Sequence, residues 1–364
     1  MRSMSDTLAR LANFRAMNQP AEAPYPNGAD LHPFGSNPGM LQAKLHIPAH
    51  LPAQSGLVVA LHGCTQSAAA YEDGSGWSRL ADEYGFAVLY PQQTRQNNAN
   101  TCFNWFVPED IRRGEGEALS IRQMIDATVE HYQIDPARIY ITGLSAGGAM
   151  ANVMLATYPE VFAGGAILAG LPYGCAGRVP QAFDLMRGRG IPDATQLQAR
   201  LRRASDFAGP WPSISVFHGT SDATVAPVNG KSIIAQWQAV HGLDNAAGRT
   251  ETDDRHTRTT WQDADGTVLL EYIEIEGMGH GAPIDGGDGY SRPAPYMLDV
   301  GFSSTLHAAR GWGLIPSFEK KTSKSKSAGV GRRSAPFIAN GPLTDAGGIQ
   351  KIIEDALRSA GLMK

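Results

Sequence analysis

The feature that most constrains this chain is a succession of short apolar runs, each closed by glycine or proline and separated from the next by a longer stretch. "GLVVALHG" (Gly56 to Gly63), "FAVLYP", "RIYI", "GGAILAG" and "SISVFHG" are such runs. Between them "WSRLADEYG" reads as a helix that stops at Gly85. "GEALSIRQMIDATVEHYQI" reads as a long amphipathic helix with Leu119, Met124, Ile125 and Val129 on one side. Strands apolar on both faces and alternating with helices predict an α/β chain: a mostly parallel central sheet with helices on both faces. "LQAKLHIP" adds an early strand and "IIAQWQAVHGL" a further helix. "RHTRTTWQDADGTVLLEYIEIEG" predicts a hairpin turning at Asp265 and Gly266, and a last helix is expected after Met297. With 42% hydrophobic and 18% charged residues among 364, the core can be sizeable.

Four further segments complete the organisation. Residues 1–38 form an arm rich in Pro, Asn and Gly, with a short amphipathic start around Leu8, Leu11 and Ala12. The catalytic domain is expected over 39–315. Its pattern becomes irregular over 170–212, which predicts a small lid-like insertion, with a packed strand–helix connection as the alternative. Residues 316–348, carrying Lys320, Lys321, Lys324, Lys326, Arg332 and Arg333, have the composition of a flexible basic linker. Residues 349–364 place Ile349, Ile352, Ile353, Ala356, Leu357 and Ala360 on one expected helical face.

The stretch "YITGLSAGGAM" (Tyr140 to Met150) holds a serine between small residues, after a β-like run and before an apolar helix. Gly143-Leu144-Ser145-Ala146-Gly147 fits G-x-S-x-G, the spelling of a strained strand-to-helix elbow that exposes a serine hydroxyl. Gly143 and Gly147 are expected there because a Cβ would collide with the neighbouring strand and helix. Ser145 is expected at an unfavourable φ, a strain of about 1–3 kcal/mol. A serine hydroxyl needs a base within hydrogen-bond reach and a group that orients the base. Asp222, in "SISVFHGTSDATV", and His280, in "LEYIEIEGMGHGAP", each follow a strand in a small-residue turn. They fall in the chain order Ser, Asp, His of an α/β-hydrolase. Asp206, Asp285 and Asp288 read as turn or cap residues, and His218, His241 and His256 as structural histidines.

A tetrahedral oxyanion needs donors. The Ala146 N–H is one, and the Cys64 N–H in "LHGCTQS" is the expected second, with Thr65 as the alternative. His62 is expected to tie that loop to its neighbours. In "CFNWF", Phe103 and Phe106 are expected to anchor inward, leaving Trp105 to face the cleft beside Asn104. Both Trp105 and Asn104 are candidate substrate-binding residues.

Several function classes recede. A net charge of -4 gives no global attraction to nucleic acid. No apolar run approaches the roughly 18 residues of a membrane span. The cysteines Cys64, Cys102 and Cys175 show no C-x-x-C spacing, so no metal site is expected, and the chemistry calls for no cofactor. The N-terminus lacks the apolar core of a secretory signal, so a cytoplasmic protein is expected, or an extracellular one if a leader was removed.

With these residues in place, the chain resembles the poly(3-hydroxybutyrate) depolymerase-like esterases of the α/β-hydrolase superfamily, relatives of feruloyl and acetylxylan esterases. "LHGCTQSAAAYEDGSGW", "NNANTCFNWF", "GLSAGGAMANVMLATYPEVFAGGAILAGLPYGCA", "VFHGTSDATVAPVN" and "GMGHGAP" carry the resemblance across roughly residues 35 to 315. It implies Ser145 as nucleophile, Asp222 as acid and His280 as base, with His62, Gly63 and Cys64 shaping the oxyanion hole. It also implies that Cys64 and Cys102 can pair; two reduced thiols remain the alternative. The expected activity is serine carboxylesterase action on short-chain hydroxyalkanoate esters, polymer or oligomer. The alternatives are a feruloyl or acetyl esterase of plant polysaccharide and a non-catalytic protein that docks on a granule or partner through the C-terminal tail.

Overall fold

The structure, a computed structural model, describes residues 29–30, 34–244, 246–253 and 255–316. The segments expected to form a basic linker and a terminal helix, and nearly all of the N-terminal arm, lie outside the described residues.

The apolar runs form strands as their composition requires. β1 (Ala29–Asp30), β2 (Gln42–His46), β3 (Leu57–Leu61), β4 (Ala87–Gln92), β5 (Ile139–Leu144), β6 (Gly164–Leu168) and β7 (Ser213–Gly219) enter one sheet. β8 (Arg249–Thr252), β9 (His256–Gln262) and β10 (Val268–Ile275) complete it, in the order β1-β2-β4-β3-β5-β6-β7-β10-β9-β8. Pairing is parallel from β4 through to β10 and antiparallel at both edges. The expected hairpin is β9–β10, and its turn is held by Asp263, which accepts from the Asp265 and Thr267 N–H groups at 3.0 and 2.8 Å. β8 is an edge strand beyond the expected hairpin; its four exposed residues carry no alternating apolar signal from which a strand could be predicted.

Two layers of helices cover the sheet: α1 (Ala68–Ser75), α2 (Trp77–Tyr84), α3 (Gly116–Tyr132), α4 (Ala146–Thr157), α5 (Val179–Met186), α6 (Ala194–Arg202), α7 (Val228–Gln238) and α8 (Ser304–Gly311). Strand β3 shows why the run is apolar throughout. Leu57, Val59 and Leu61 pack in one core cluster with Ile121 and Ile125 of α3, Met150 and Met154 of α4, and Trp237 of α7. Val58 and Ala60 pack in the other with Trp77 and Leu80 of α2 and Ala309 of α8. Helix α2 stops where expected: Gly85 sits at φ 72° and its N–H caps the Ala81 carbonyl at 2.8 Å. The helix expected after Met297 is α8. Met297 itself begins β12 (Met297–Asp299), which pairs in parallel with β11 (Ala282–Ile284) just past His280.

The 170–212 stretch divides in two. Leu197 and Leu201 of α6 are buried, and Gln198 Nε2 donates to the Ala235 carbonyl of α7 at 3.1 Å, a packed connection. Helix α5 turns Val179, Ala182, Phe183 and Met186 toward Ser145 and walls the cleft. Its C-terminal end is bound to the loop after Asp222 and to the first turn of α7: Ala226 N–H donates to Met186 O at 2.7 Å and Asn229 Nδ2 to Leu185 O at 2.8 Å.

Candidate active site

Ser145 lies between β5 and α4 at φ 57°, ψ -117°, a region closed to most side chains. The backbone there tolerates no added carbon at its flanks. A Cβ on Gly143 would lie 2.3 Å from the Gly147 carbonyl oxygen, and one on Gly147 2.4 Å from that of Leu61. The Ser145 N–H donates to Leu168 O at 2.9 Å, which fixes the turn against β6.

Because β7 and β10 are adjacent and parallel, their C-terminal loops lie side by side. Thr220 N–H donates to Ile275 O at 3.0 Å, Ser221 N–H to Met278 O at 3.0 Å, and Gly277 N–H to Thr220 Oγ1 at 2.9 Å. These bonds bring Asp222 to His280. His280 Nδ1 is 2.7 Å from Asp222 Oδ2, and its Nε2 is 2.9 Å from Ser145 Oγ. With the proton on Nδ1 donated to the carboxylate, Nε2 is left to accept from the serine hydroxyl. Asp222 Oδ1 accepts from the Thr224 and Val225 N–H groups, both at 2.9 Å. Burial pushes the Asp222 carboxyl up, but His218 and His280 outweigh it and hold the group well below the usual carboxylate range.

His218 is therefore more than a core histidine. Fully buried, it donates from Nε2 to Val225 O at 2.8 Å, with the same nitrogen 3.5 Å from Asp222 Oδ2. The signal in the sequence was its position four residues before Asp222 at the end of the same strand. Asp285 and Asp288 are turn residues as expected, accepting from Gly287 N–H and from Tyr290 and Ser291 N–H.

The N–H groups of Ala146 and Cys64 meet no acceptor among the described residues. Thr65, the alternative, is excluded as a donor because its N–H is bound to Asn100 O at 2.7 Å. His62 ties the loop down: Nδ1 donates to Gly63 O at 2.8 Å and Nε2 accepts from Gln93 N–H at 3.1 Å. Burial lowers its pKa to about 4, so it stays neutral. Cys64 and Cys102 form a disulfide with Cα atoms 4.2 Å apart, joining this loop to the 98–106 loop, and Cys175 is unpaired.

The aromatic loop departs from expectation. Phe103 is fully buried, but Phe106 is only partly buried and lines the cleft together with Trp105, their rings edge to face at 5.4 Å. A loop has no regular alternation to sort its side chains, so the order of residues along it does not fix which of them face the cleft. Asn104 does not line the cleft. It is buried, its Oδ1 accepting from Asn98 Nδ2 at 2.9 Å and its N–H donating to Glu117 Oε2 at 2.9 Å. Glu117 also takes Gln93 Nε2 at 2.6 Å and Asn97 Nδ2 at 3.0 Å, so this one buried carboxyl organises the whole loop. Burial, aided by the nearby charge of Asp110, raises its pKa to about 8 despite these donors.

Two cavities meet at Ser145. One, of about 190 Å³, includes Gln66, Thr224, His280 and Tyr296 in its walls. The other, of about 50 Å³, includes Trp105, Phe106, Leu171, Phe183 and Val225. Cys64 and Met186 border both.

A serine on a strained elbow at the carboxyl edge of a mostly parallel sheet, backed by a histidine and a buried carboxylate, defines a hydrolase of the α/β-hydrolase fold. The family model described as esterase PHB depolymerase matches residues 43–261, more than half of the chain. The protein belongs to that family of ester hydrolases. Poly(3-hydroxyalkanoate) depolymerase C of Paucimonas lemoignei is 47% identical over 287 residues, covering 78% of this chain and 69% of its own. Acetylxylan esterase A of Aspergillus oryzae is 34% identical over 266 residues, covering 70% and 83%. The solved acetyl xylan esterase from Aspergillus awamori matches with a TM-score of 0.69 at 26% identity, covering 79% of this chain and 100% of that one. Among the described residues no helix is long and apolar enough to cross a membrane.

Proposed function

We propose that this protein is a serine esterase that cleaves short-chain hydroxyalkanoate esters, polymer or oligomer, through an acyl-enzyme. The observation that carries the reading is the unbroken relay from Ser145 Oγ through His280 to Asp222, at the meeting point of two cavities. Ser145 Oγ attacks the ester carbonyl as its proton passes to His280 Nε2. Asp222 holds the imidazole by Nδ1 and stabilises the imidazolium. The N–H groups of Ala146 and Cys64 take the oxyanion, each worth about 3 kcal/mol in the transition state. The tetrahedral adduct collapses, the C–O bond to the alcohol breaks, and the alcohol leaves with the proton from His280. Water then attacks the acyl carbon, giving its proton to His280, which returns it to Ser145 as the acid departs.

The hydroxyalkanoate substrate class is supported by the 47% identity to a protein named as a poly(3-hydroxyalkanoate) depolymerase. A second reading, hydrolysis of acetyl or feruloyl esters of polysaccharide, draws on the relatives named as acetylxylan esterases. A fluorophosphonate probe should label Ser145 and fail on Ser145→Ala; no labelling would leave only the non-catalytic, partner-docking reading. Hydroxybutyrate oligomers, short p-nitrophenyl esters and methyl ferulate then rank the substrates, and faster turnover of methyl ferulate than of any hydroxyalkanoate would give the case to the second reading.

Two assignments belong to the same proposal. Residues 39–315 are the catalytic unit, with 316–348 as linker and 349–364 as a segment that docks on a partner or polyester granule, steered by the basic run. For compartment, the expected cytoplasmic location stands against the Cys64–Cys102 pair, which suits an oxidising space. Counting alkylatable thiols in protein taken directly from native cells decides between them: three if the pair is reduced, one if it is formed.

A further inference from the structure

Tyr296 entered neither the motif argument nor the relay, yet it has an unusual position. Its backbone is at φ 65°, a conformation a tyrosine seldom adopts, since it has no short polar side chain to bond its own backbone. The strain is held from both sides. Tyr296 O accepts from Ala282 N–H at 2.8 Å, and the next residue, Met297, is paired with Ala282 in the β11–β12 ladder. The result is that the ring stands edge to face against His280 at 6.4 Å and walls the larger cavity. Its hydroxyl makes no hydrogen bond among the described residues, and neither does that of Thr224 in the same cavity.

The chemistry assigns the two cavities to the two halves of an ester. The imidazolium must hand its proton to the departing alkoxide, so the alcohol half lies on the His280 side of Ser145. His280 lines the cavity of about 190 Å³ and not the one of about 50 Å³, which instead holds Ala146 with the aromatic pair. The smaller cavity, with its aromatic pair, is therefore the acyl side and the larger the alcohol side. The larger one presents hydroxyls from Tyr296 and Thr224, and neither lysine nor arginine is among the residues that line it. Such a wall suits a neutral oxygen acceptor and leaves a carboxylate without a counter-charge.

We propose that Tyr296 is a specificity-determining residue that hydrogen-bonds the alcohol half of the ester, selecting alcohols that are themselves esterified hydroxyacid units. The assignment rests on the serine esterase reading above. It places the preferred scissile bond within a chain, where the leaving alcohol carries an ester carbonyl, rather than next to a free carboxylate terminus.

Three esters of 3-hydroxybutyrate share one acyl group and test this: the ethyl ester, the methyl-ester-capped dimer and the free-acid dimer. The wild-type enzyme should favour the capped dimer over both others in kcat/KM. Tyr296→Phe should lower the capped-dimer to ethyl-ester ratio by about five- to tenfold, the value of one hydrogen bond. Rapid quench should place that loss in acylation. Deacylation of the shared acyl-enzyme, which follows departure of the alcohol, should keep its rate constant, a separation that a merely structural role would not produce. Tyr296→Ala should reduce the ratio at least as far. The assignment is overturned by a wild-type preference for the free-acid dimer, by an unchanged ratio in Tyr296→Phe, or by equal slowing of acylation and deacylation. A missing burst together with unlabelled Ser145 would instead sink the serine reading itself, so the two failures are distinguishable.

Discussion

A serine at φ 57° is the residue on which everything else turns, and its neighbours show what that conformation demands. Substituting Gly147 with Ala would put a Cβ 2.4 and 2.5 Å from the carbonyl oxygens of Leu61 and His62, both backbone atoms that cannot swing aside. Gly147→Ala should cost about 2–3 kcal/mol in denaturant melts and depress activity too, because His62 leads into the oxyanion loop. If the variant matched wild type in both, the elbow would be less constrained than its geometry indicates. The relay acts as a unit. Ser145→Ala and His280→Ala should each lower kcat by roughly 10⁵–10⁶-fold and the double variant by little more, whereas Asp222→Asn should cost roughly 10⁴-fold. Residual esterase activity of a few per cent in Ser145→Ala would refute the assignment. Ser145, Asp222 and His280 were legible as residues because each carries a local signature, a small-residue turn directly after an apolar run. Phe106, Tyr296 and Glu117 were not: the first two owe their place to the path of a loop, and Glu117 reads in sequence as one polar residue of an amphipathic helix.

Elements hold the site through two devices that fix the 98–106 loop. The Cys64–Cys102 bond ties that loop to the oxyanion turn across 38 residues of chain. Replacing both cysteines by serine should lower stability by about 3–4 kcal/mol, as expected for a closed loop of that length, and reduce kcat more than KM by freeing the Cys64 N–H. A pair of variants with unchanged melting temperature would show that the bond constrains nothing. The second device is Glu117. The unfolded carboxyl ionises near 4.5, while the buried one keeps its proton to about 8. The folded state thus binds the extra proton between these values. Its stabilising share is complete below 4.5 and is lost as pH rises towards 8, at no more than about 1.4 kcal/mol per pH unit. Glu117→Gln should be less stable than wild type at pH 5, since its amide N–H₂ meets the Asn104 N–H, but nearly pH-independent there. The gap between the two should close as pH rises to 8. Parallel stability curves would mean that Glu117 is already ionised at pH 5.

For the whole molecule, the site draws on described residues from His62 to Tyr296, carried by the sheet, the loops at its carboxyl edge and the helices packed there. Deleting residues 317–364 should therefore leave hydrolysis of short p-nitrophenyl esters within about twofold of wild type. If those residues dock on a granule, the same deletion should shift the protein out of the granule fraction. An unchanged distribution would dispose of the docking proposal, and a collapse of small-ester hydrolysis would show that the catalytic unit extends past residue 316.

What the sequence by itself determined is the order of the parallel sheet's strands along the chain, the position of the elbow, and the Ser, Asp, His series. These depend on local composition: residues buried on both faces must be apolar, and a strained turn needs glycine at its flanks. It also carried the family, through motifs spread in order along the chain. Only the tertiary structure decided which residues face the cleft. Adjacency of β7 and β10 brings Asp222 to His280 across 58 positions. The 98–106 loop turns Phe106 inward with Trp105 and Asn104 away, and the β11–β12 ladder sets Tyr296 against His280. Contacts between segments distant in the chain leave no periodicity for a sequence to display, so the relay could be read from strand-end turns while, Trp105 apart, the walls of the site could not.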